Sequence, residues 1–318
     1  MTAAEAAPPI PASAASPTIE VLNVSRWYGN VVAVNDISFF LGPGITGLLG
    51  PNGAGKSTLL HMLAGFLKPS NGDVRMFGER IWRNAALYSR LGLVPEREAV
   101  YPFLTGFEFV VLSARLHGLA DSKAAATRAI REVELQDSQH RASGGYSKGM
   151  KQRLKVAAAI VHDPQVLLLD EPFNGADPRQ RLHLMDMLRR MAAEGRTIVF
   201  SSHILEEVER LAENVLVIVS GRLAASGDFR EIRRLMTDRP HTFTIRSSDN
   251  RGLAAALVGD PSVFGVELSK DRLTVQTAEF GAFTLAAPRV ARDAHVTLFE
   301  FIPTDESLES VFSYLVRR

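Results

Sequence analysis

Residues 50–58 read GPNGAGKST, and no other run constrains the chain as tightly. Glycine, proline and asparagine placed directly before a lysine and two hydroxyls are poor material for a helix or a strand. Yet the apolar run Ile45–Leu49 precedes them and an apolar helical pattern, Ser57–Phe66, follows. Strand, glycine loop and helix in that order satisfy G-x-x-x-x-G-K-[ST] in the context the motif requires. Gly50, Gly53 and Gly55 let backbone N–H groups wrap a polyphosphate, with Pro51, Asn52 and Ala54 completing the loop. The positive end of the helix that begins near Ser57 and Thr58 faces the same anion. Lys56 neutralises the terminal phosphates, and the Ser57 hydroxyl suits Mg²⁺. A flexible glycine turn ahead of a helix is the plainer account, but it leaves the lysine and the hydroxyl without a purpose.

The pattern around this loop is that of buried strands alternating with helices. Ile45–Leu49, Val166–Leu169, Thr197–Phe200 and Val215–Val219 are short apolar runs. Helical patterns cover Ser57–Phe66, Gly106–Leu116, Lys123–Glu134, Met150–Val161, Arg179–Ala193 and Leu205–Ala212. This predicts an α/β fold built on a mainly parallel sheet covered on both faces. The mostly helical span from Gly106 to Leu135 predicts a helical subdomain within it. After Met236 the rhythm changes to strand His241–Arg246, helix Arg251–Val258 and a hairpin over Val263–Thr277 turning at Lys270-Asp271. Helix Ala282–Arg292, strand Val296–Ile302 and an amphipathic helix Glu306–Val316 follow. The βαββαβ order predicts a small α+β module of ferredoxin-like type. The expected division is a tail over 1–18, a nucleotide-binding domain over 19–236 and an accessory domain over 237–318.

Hydrolysis of a bound phosphate needs a metal anchor and a group that prepares the water. VLLLDEP supplies both, because Asp170 and Glu171 stand at the C-terminal end of a buried strand, the edge where open parallel sheets bind ligands. Asp170 suits the Mg²⁺ shell, directly or through water, and Glu171 suits a general base; an acidic helix cap before Pro172 is the structural alternative. A second strand ends in Ser201-Ser202-His203. His203 could merely cap the next helix, but beside a phosphate loop it suits contact with a γ-phosphate and the attacking water.

Composition bounds the rest. A net charge of +1 over 318 residues implies no polyelectrolyte partner, and the basic cluster Arg230, Arg233 and Arg234 reads as a solvated helix face rather than a nucleic-acid patch. No nucleic acid is expected. The chain has no cysteine, which excludes disulfides, thiolate metal sites and a thiol nucleophile. The Ala/Pro/Ser-rich first eighteen residues lack the basic start and apolar run of a signal peptide and read as a disordered tail. No window approaches the roughly 18 apolar residues that span a bilayer, so a protein soluble alone is expected.

With these pieces in order, the chain resembles the nucleotide-binding subunit of an ATP-binding cassette (ABC) transporter. The deciding run is YSKGMKQR, Tyr146–Arg153, which is similar to the family signature LSGGQxQR with Ser147, Gly149, Gln152 and Arg153 at matching positions. Ser143-Gly144-Gly145 is a decoy, since only the Ser147 register places Gln152-Arg153 correctly. The resemblance, which runs from about Ile19 to Ile232, implies that Ser147, Lys148, Gly149 and Met150 close on the γ-phosphate held by another protomer. It further implies that Tyr28 stacks on adenine, with Trp27 the competing stacker, and that Asp177 in NGADP touches the opposite site.

Departures are visible. Glu96 stands where the family usually has a glutamine, and its carboxylate can ligate Mg²⁺ or the attacking water while adding negative charge. Lys148 and Met150 replace a glycine and a glutamine; Asn174 and Ala176 replace the usual Ser and Leu. These variants, with the closing DESLESVFSYLV, resemble the ABC-2 export subgroup. The resemblance implies an ATPase using ATP and Mg²⁺. The resemblance further implies that such an ATPase pairs as a homodimer or with a second ABC subunit, and drives an integral membrane subunit from the cytoplasmic face of the membrane. The segment Glu96–Thr105 is the expected meeting surface. The rival is a soluble or regulatory ABC ATPase not coupled to transport, but the chain has one lysine loop and no sustained heptads. The accessory domain has three open roles: dimer contacts, regulatory binding, or simply capping the cassette.

Overall fold

A computed structural model describes residues 17–97, 99–228, 232 and 240–304. The chain divides into two compact units at Ser226/Gly227, ten residues ahead of the boundary expected from the change of rhythm. The first sixteen residues, the Arg230, Arg233 and Arg234 cluster and the expected helix Glu306–Val316 lie outside the described residues.

The first unit opens on an antiparallel pair, β1 (Ile19–Tyr28) and β2 (Val31–Leu41), which leads into β3 (Gly44–Leu49). Helix α1 (Lys56–Leu63) follows the glycine loop, then β4 (Asn71–Met76), β5 (Glu79–Arg80), the short α2 (Ala85–Tyr88) and β6 (Leu91–Val94). The helical insertion is α3 (Gly106–Leu116) and α4 (Ser122–Glu132), and α5 (Lys148–Ile160) returns to β7 (Val166–Leu169). The unit finishes with α6 (Pro178–Ala193), β8 (Thr197–Ser202), α7 (Leu205–Leu211), β9 (Asn214–Val219) and β10 (Arg222–Gly227). Six strands form one sheet in the order β10-β9-β3-β8-β7-β6, and β9, β3, β8, β7 and β6 run parallel to one another.

A second sheet, β2-β1-β4-β5, is antiparallel and was not anticipated in the run of apolar segments. Its strands are hard to read because register shifts fall between Val21 and Val24 and again before Trp27. Each shift breaks the two-residue alternation by which a half-buried strand announces itself.

One core joins these layers. Leu59, Leu60, Met62 and Leu63 of α1 pack between Ile19, Val21 and Ile37 of the antiparallel sheet and Val166, Leu168, Val199 and Leu216 of the parallel one. Because α1 is held from two sides, the loop at its N-terminus is held too. The neighbouring residues of the parallel strands turn to the other face, where Gly47 of β3 meets α7. A Cβ at Gly47 would lie 2.6 Å from Val208 Cγ1 and 3.2 Å from the Ala212 Cβ.

The second unit contains β11 (His241–Ser247), α8 (Asn250–Val258), β12 (Val263–Leu268), β13 (Leu273–Thr277), α9 (Phe280–Asp293) and β14 (Leu298–Pro303). Its sheet order is β12-β13-β11-β14 with antiparallel neighbours, the ferredoxin-like arrangement expected from the βαββαβ sequence. The hairpin closes where Ser269 N–H donates to the Arg272 carbonyl, so Lys270 and Asp271 form its turn. Phe243, Ile245, Leu253, Val275 and Phe283 make its core.

Replacing Gly47 by Ala forces a methyl into the β3–α7 contact. We expect denaturant melts to show a loss of about 1–3 kcal/mol, the usual cost of overpacking; an unchanged midpoint means that α7 yields freely.

Candidate functional site

The parallel strands β3, β7 and β8 end at one edge, and the candidate residues gather there. A cleft of about 340 Å³ is lined by Ala33, the loop from Asn52 to Thr58, Glu96, Asp170 and Glu171. The loop geometry depends on Gly55, which takes φ of 104° and whose absent Cβ would lie 2.3 Å from the Ala33 carbonyl oxygen. A side chain there is excluded both by conformation and by space. Gly55 also caps α1 without offering a side-chain acceptor, so the first amides of the helix keep their donors for an anion.

Lys56 is buried. Its Nζ donates to the carbonyl oxygens of Gly50 (2.7 Å) and Pro51 (3.3 Å). Burial lowers the pKa of the ammonium, while the negative charges of Glu171, Asp170 and Glu96 raise it again. A cation opposite three carboxylates fits the recognition of a phosphate chain that carries a divalent ion. The oxygen donors Ser57, Asp170 and Glu96 are of the kind that Mg²⁺ accepts.

The carboxylates themselves are fixed by β8. Ser201 Oγ donates to Asp170 Oδ1 at 2.6 Å and accepts from the Glu171 N–H at 2.9 Å. Asp170 and Ser201 are both buried. Glu171 has φ of 49°, a left-handed backbone uncommon for a non-glycine residue. Its Oε2 lies 2.9 Å from His203 Nδ1. His203 therefore engages the cleft through Glu171 and does not itself line it.

Other expected site residues stand apart from the cleft. Tyr28 is half exposed with the Arg26 guanidinium 4.8 Å over its ring, and Trp27 beside it is similarly exposed. Ser147 caps α5, accepting from the Met150 N–H at 3.2 Å, with Lys148, Gly149 and Met150 in the first turn. The decoy Ser143 lies fully buried in a 3₁₀ turn and donates to the Tyr101 carbonyl. Asp177 caps α6 through the Gln180 N–H, and a side chain on Gly149 would approach the Gly175 carbonyl to 2.7 Å. The starts of α5 and α6 are thus neighbours, away from the Lys56 cleft.

A family model described as ABC transporter matches residues 34–174. Over 302 residues the chain is 34% identical to the bacitracin transport ATP-binding protein BcrA of Enterococcus faecalis, covering 94% of this chain and 96% of that protein. It is 31% identical over 309 residues to the linearmycin resistance ATP-binding protein LnrL of Bacillus subtilis, covering 94% and 98%. A solved structure of the ATP-binding subunit of an ABC transporter matches with a TM-score of 0.63 at 30% identity, covering 68% of this chain and 92% of the other. A dimeric bacterial ABC transporter cassette has a TM-score of 0.62 at 22% identity, a likeness of fold.

The chain belongs to the ABC transporter family.

It is an ATP-binding, ATP-hydrolysing cassette of that family, and among its described residues no helix is long and apolar enough to cross a membrane. Sequence reading missed several residues of this ABC ATPase that act behind the cleft. Ser201 could have been noticed as a hydroxyl ending a buried apolar strand. Glu207 is buried and accepts from Ser202 Oγ at 2.6 Å, with Arg181 Nε 3.4 Å away, so it joins the His203 turn to α6. No spacing in the sequence announces Lys155, which reaches the Glu96 loop from α5.

Beside that loop the ABC cassette has an apolar groove of about 340 Å³, lined by Phe66, Tyr88, Leu93, Pro95, Phe109 and His162 among others. In it the rings of His117 and His162 stack at 3.5 Å. Burial, and then the neighbouring His117, depress the His162 pKa from 6.5 to about 4, despite its bond to the Leu91 carbonyl and the nearby Asp163. Between those values the unfolded chain binds a proton that the folded chain refuses, so stability is present above pH 6.5 and falls as pH drops toward 4. Replacing His162 by Phe should flatten the pH dependence of the unfolding free energy from denaturant melts in that window, by about 1–2 kcal/mol because the ring is partly exposed to solvent. An unaltered slope would show that His162 takes up its proton without opening the fold.

Proposed function

We propose that this chain is the motor half of an ABC-2 type exporter, in which two cassettes close around two ATP molecules and drive a separate membrane subunit. The observation that carries the reading is the grouping of Lys56, Asp170, Glu171 and Glu96 around one cleft, with Ser201 and His203 fixing the two carboxylates that follow β7. In this reading Gly50 to Thr58 and Lys56 bind the phosphates, and Tyr28 stacks on the adenine. Ser57, Asp170 and Glu96 hold the metal. Bound Mg²⁺ supplies neutralisation of phosphate charge. Glu171 takes the proton of the attacking water as the water oxygen bonds to the γ-phosphorus and the bond from that phosphorus to the β,γ-bridging oxygen breaks, leaving ADP and phosphate. His203, which does not line the cleft, orients the Glu171 carboxylate through Nδ1.

A pair of cassettes is supported by the position of the α5 start. Ser147 and Gly149 present a helix N-terminus that the cleft of the same chain does not use, and Asp177 lies beside it. Facing a second copy, they complete its site, and because those contacts exist only in the closed pair, ATP favours closure. Relatives of nearly full-length match carry names of transport and resistance proteins, which favours coupling to a membrane subunit over a free regulatory ATPase. The groove beside Glu96–Thr105, with exposed Phe66, Tyr101 and Phe103, is the surface proposed for that subunit at the cytoplasmic side of the membrane. Its charge balance gives no reason to invoke nucleic acid.

Glu171→Gln should retain ATP binding while turnover falls by roughly 10²–10⁴, the share of a general base. Phosphate-release kinetics beside equilibrium ATP binding measure both, and wild-type turnover in this variant removes Glu171 from the chemistry. Lys56→Ala should lose ATP binding in the same assay, whereas normal binding by it would dismiss the phosphate loop.

A further inference from the structure

Lys155 occupies a position the hydrolytic reading does not use. It lies eight residues beyond Ser147 on α5, about 12 Å along the axis at the rise of an α-helix. Its side chain is buried, and its Nζ donates to three successive carbonyl oxygens: Pro95 at 2.6 Å, Glu96 at 3.2 Å and Arg97 at 3.1 Å. Those residues follow β6 and belong to no helix or strand, so no ladder holds their backbone. Burying an ammonium is costly unless its hydrogens are accepted, so the loop and the lysine hold each other in one arrangement. On its cleft side the same loop carries Glu96, which lines the wall shared with Lys56, Asp170 and Glu171 and contributes charge to Lys56.

We propose that Lys155 is a positioning residue that clamps the Pro95–Arg97 backbone to α5, so that the Glu96 carboxylate reaches the metal-bearing nucleotide only while this helix is docked on the loop. The ligand's identity rests on the proposed function; the clamp rests on the geometry. The consequence is a link between two sites. In the proposed closed pair the Ser147 end of α5 faces a partner's nucleotide, while Lys155 on the same helix sets a carboxylate at the chain's own. A simple core lysine would stabilise the fold without any selective effect on Glu96.

The test uses the full chain with Lys155→Met. In nucleotide-free protein, tryptic cleavage after Arg97, whose carbonyl Lys155 holds, should quicken roughly tenfold, because the loop loses its tether. ATP affinity measured without Mg²⁺ should stay at the wild-type value. The gain in affinity on adding Mg²⁺ should shrink by about tenfold, the common cost of losing support behind a metal ligand. In a Glu96→Ala background the Lys155→Met change should no longer affect that gain, since a residue acting through Glu96 cannot act without it. A wild-type rate of cleavage after Arg97 in the variant, or a Mg²⁺ penalty that persists undiminished in the Glu96→Ala background, overturns the proposal. Lys155→Gln keeps polar donors at the site and serves if the methionine variant does not fold; smaller shifts of the same kind are expected, and their absence overturns the proposal equally. If wild-type ATP binding ignores Mg²⁺, the metal role of Glu96 fails, while the cleavage measurement still decides the clamp.

Discussion

The Lys56 ammonium is the charge around which the site is arranged. It is buried at the end of the parallel sheet, and burial alone favours its neutral form. Asp170, Glu171 and Glu96 supply the opposing field, and the Gly50 and Pro51 carbonyls accept its protons. Three carboxylates around one lysine leave an excess of negative charge. A phosphate chain alone would be repelled by that excess, whereas a phosphate chain with a divalent cation answers it. In the proposed function, that charge count favours a nucleotide that carries a divalent cation.

That arrangement needs a frame that does not yield, and the frame is α1. Its apolar face is taken up by two sheets at once, so the loop before it cannot drift from the ends of β7 and β8. The opposite wall is fixed by cross-strand bonding, with Ser201 holding both Asp170 and the Glu171 amide. Glu171 keeps a left-handed backbone in the process. Strain of that kind persists where the surroundings over-determine a residue, and here the surroundings are one serine hydroxyl and one histidine.

Much of this could be read from order and spacing. The phosphate loop is continuous in sequence, so its residues were all visible together. Asp170, Glu171 and His203 were visible because each ends an apolar strand, and parallel strands share an edge. The choice of Ser147 over Ser143 followed from register, and the helix that starts at Lys148 is capped accordingly. What escaped was the support. Ser201 meets Asp170 from the adjacent strand, and Lys155 meets Pro95 across sixty positions of chain. Such pairs arise from tertiary packing and leave no periodic mark. The antiparallel sheet escaped for a local reason, since its bulges break the alternation that reveals a strand.

The division of labour along α5 follows from the rigidity of a helix. Ser147 and Lys155 stand on one unbroken helix, so a rigid-body shift of α5 would carry both. The loop that Lys155 grips has no ladder of its own and is the softer partner. In the proposed clamp, a shift of α5 would be felt at Glu96 rather than within the sheet, whose strands are buried on both faces. A glutamine at this position could only donate and accept neutral hydrogen bonds. The carboxylate adds a full charge to the balance around Lys56, so the same displacement changes the electrostatics of the cleft as well as its shape.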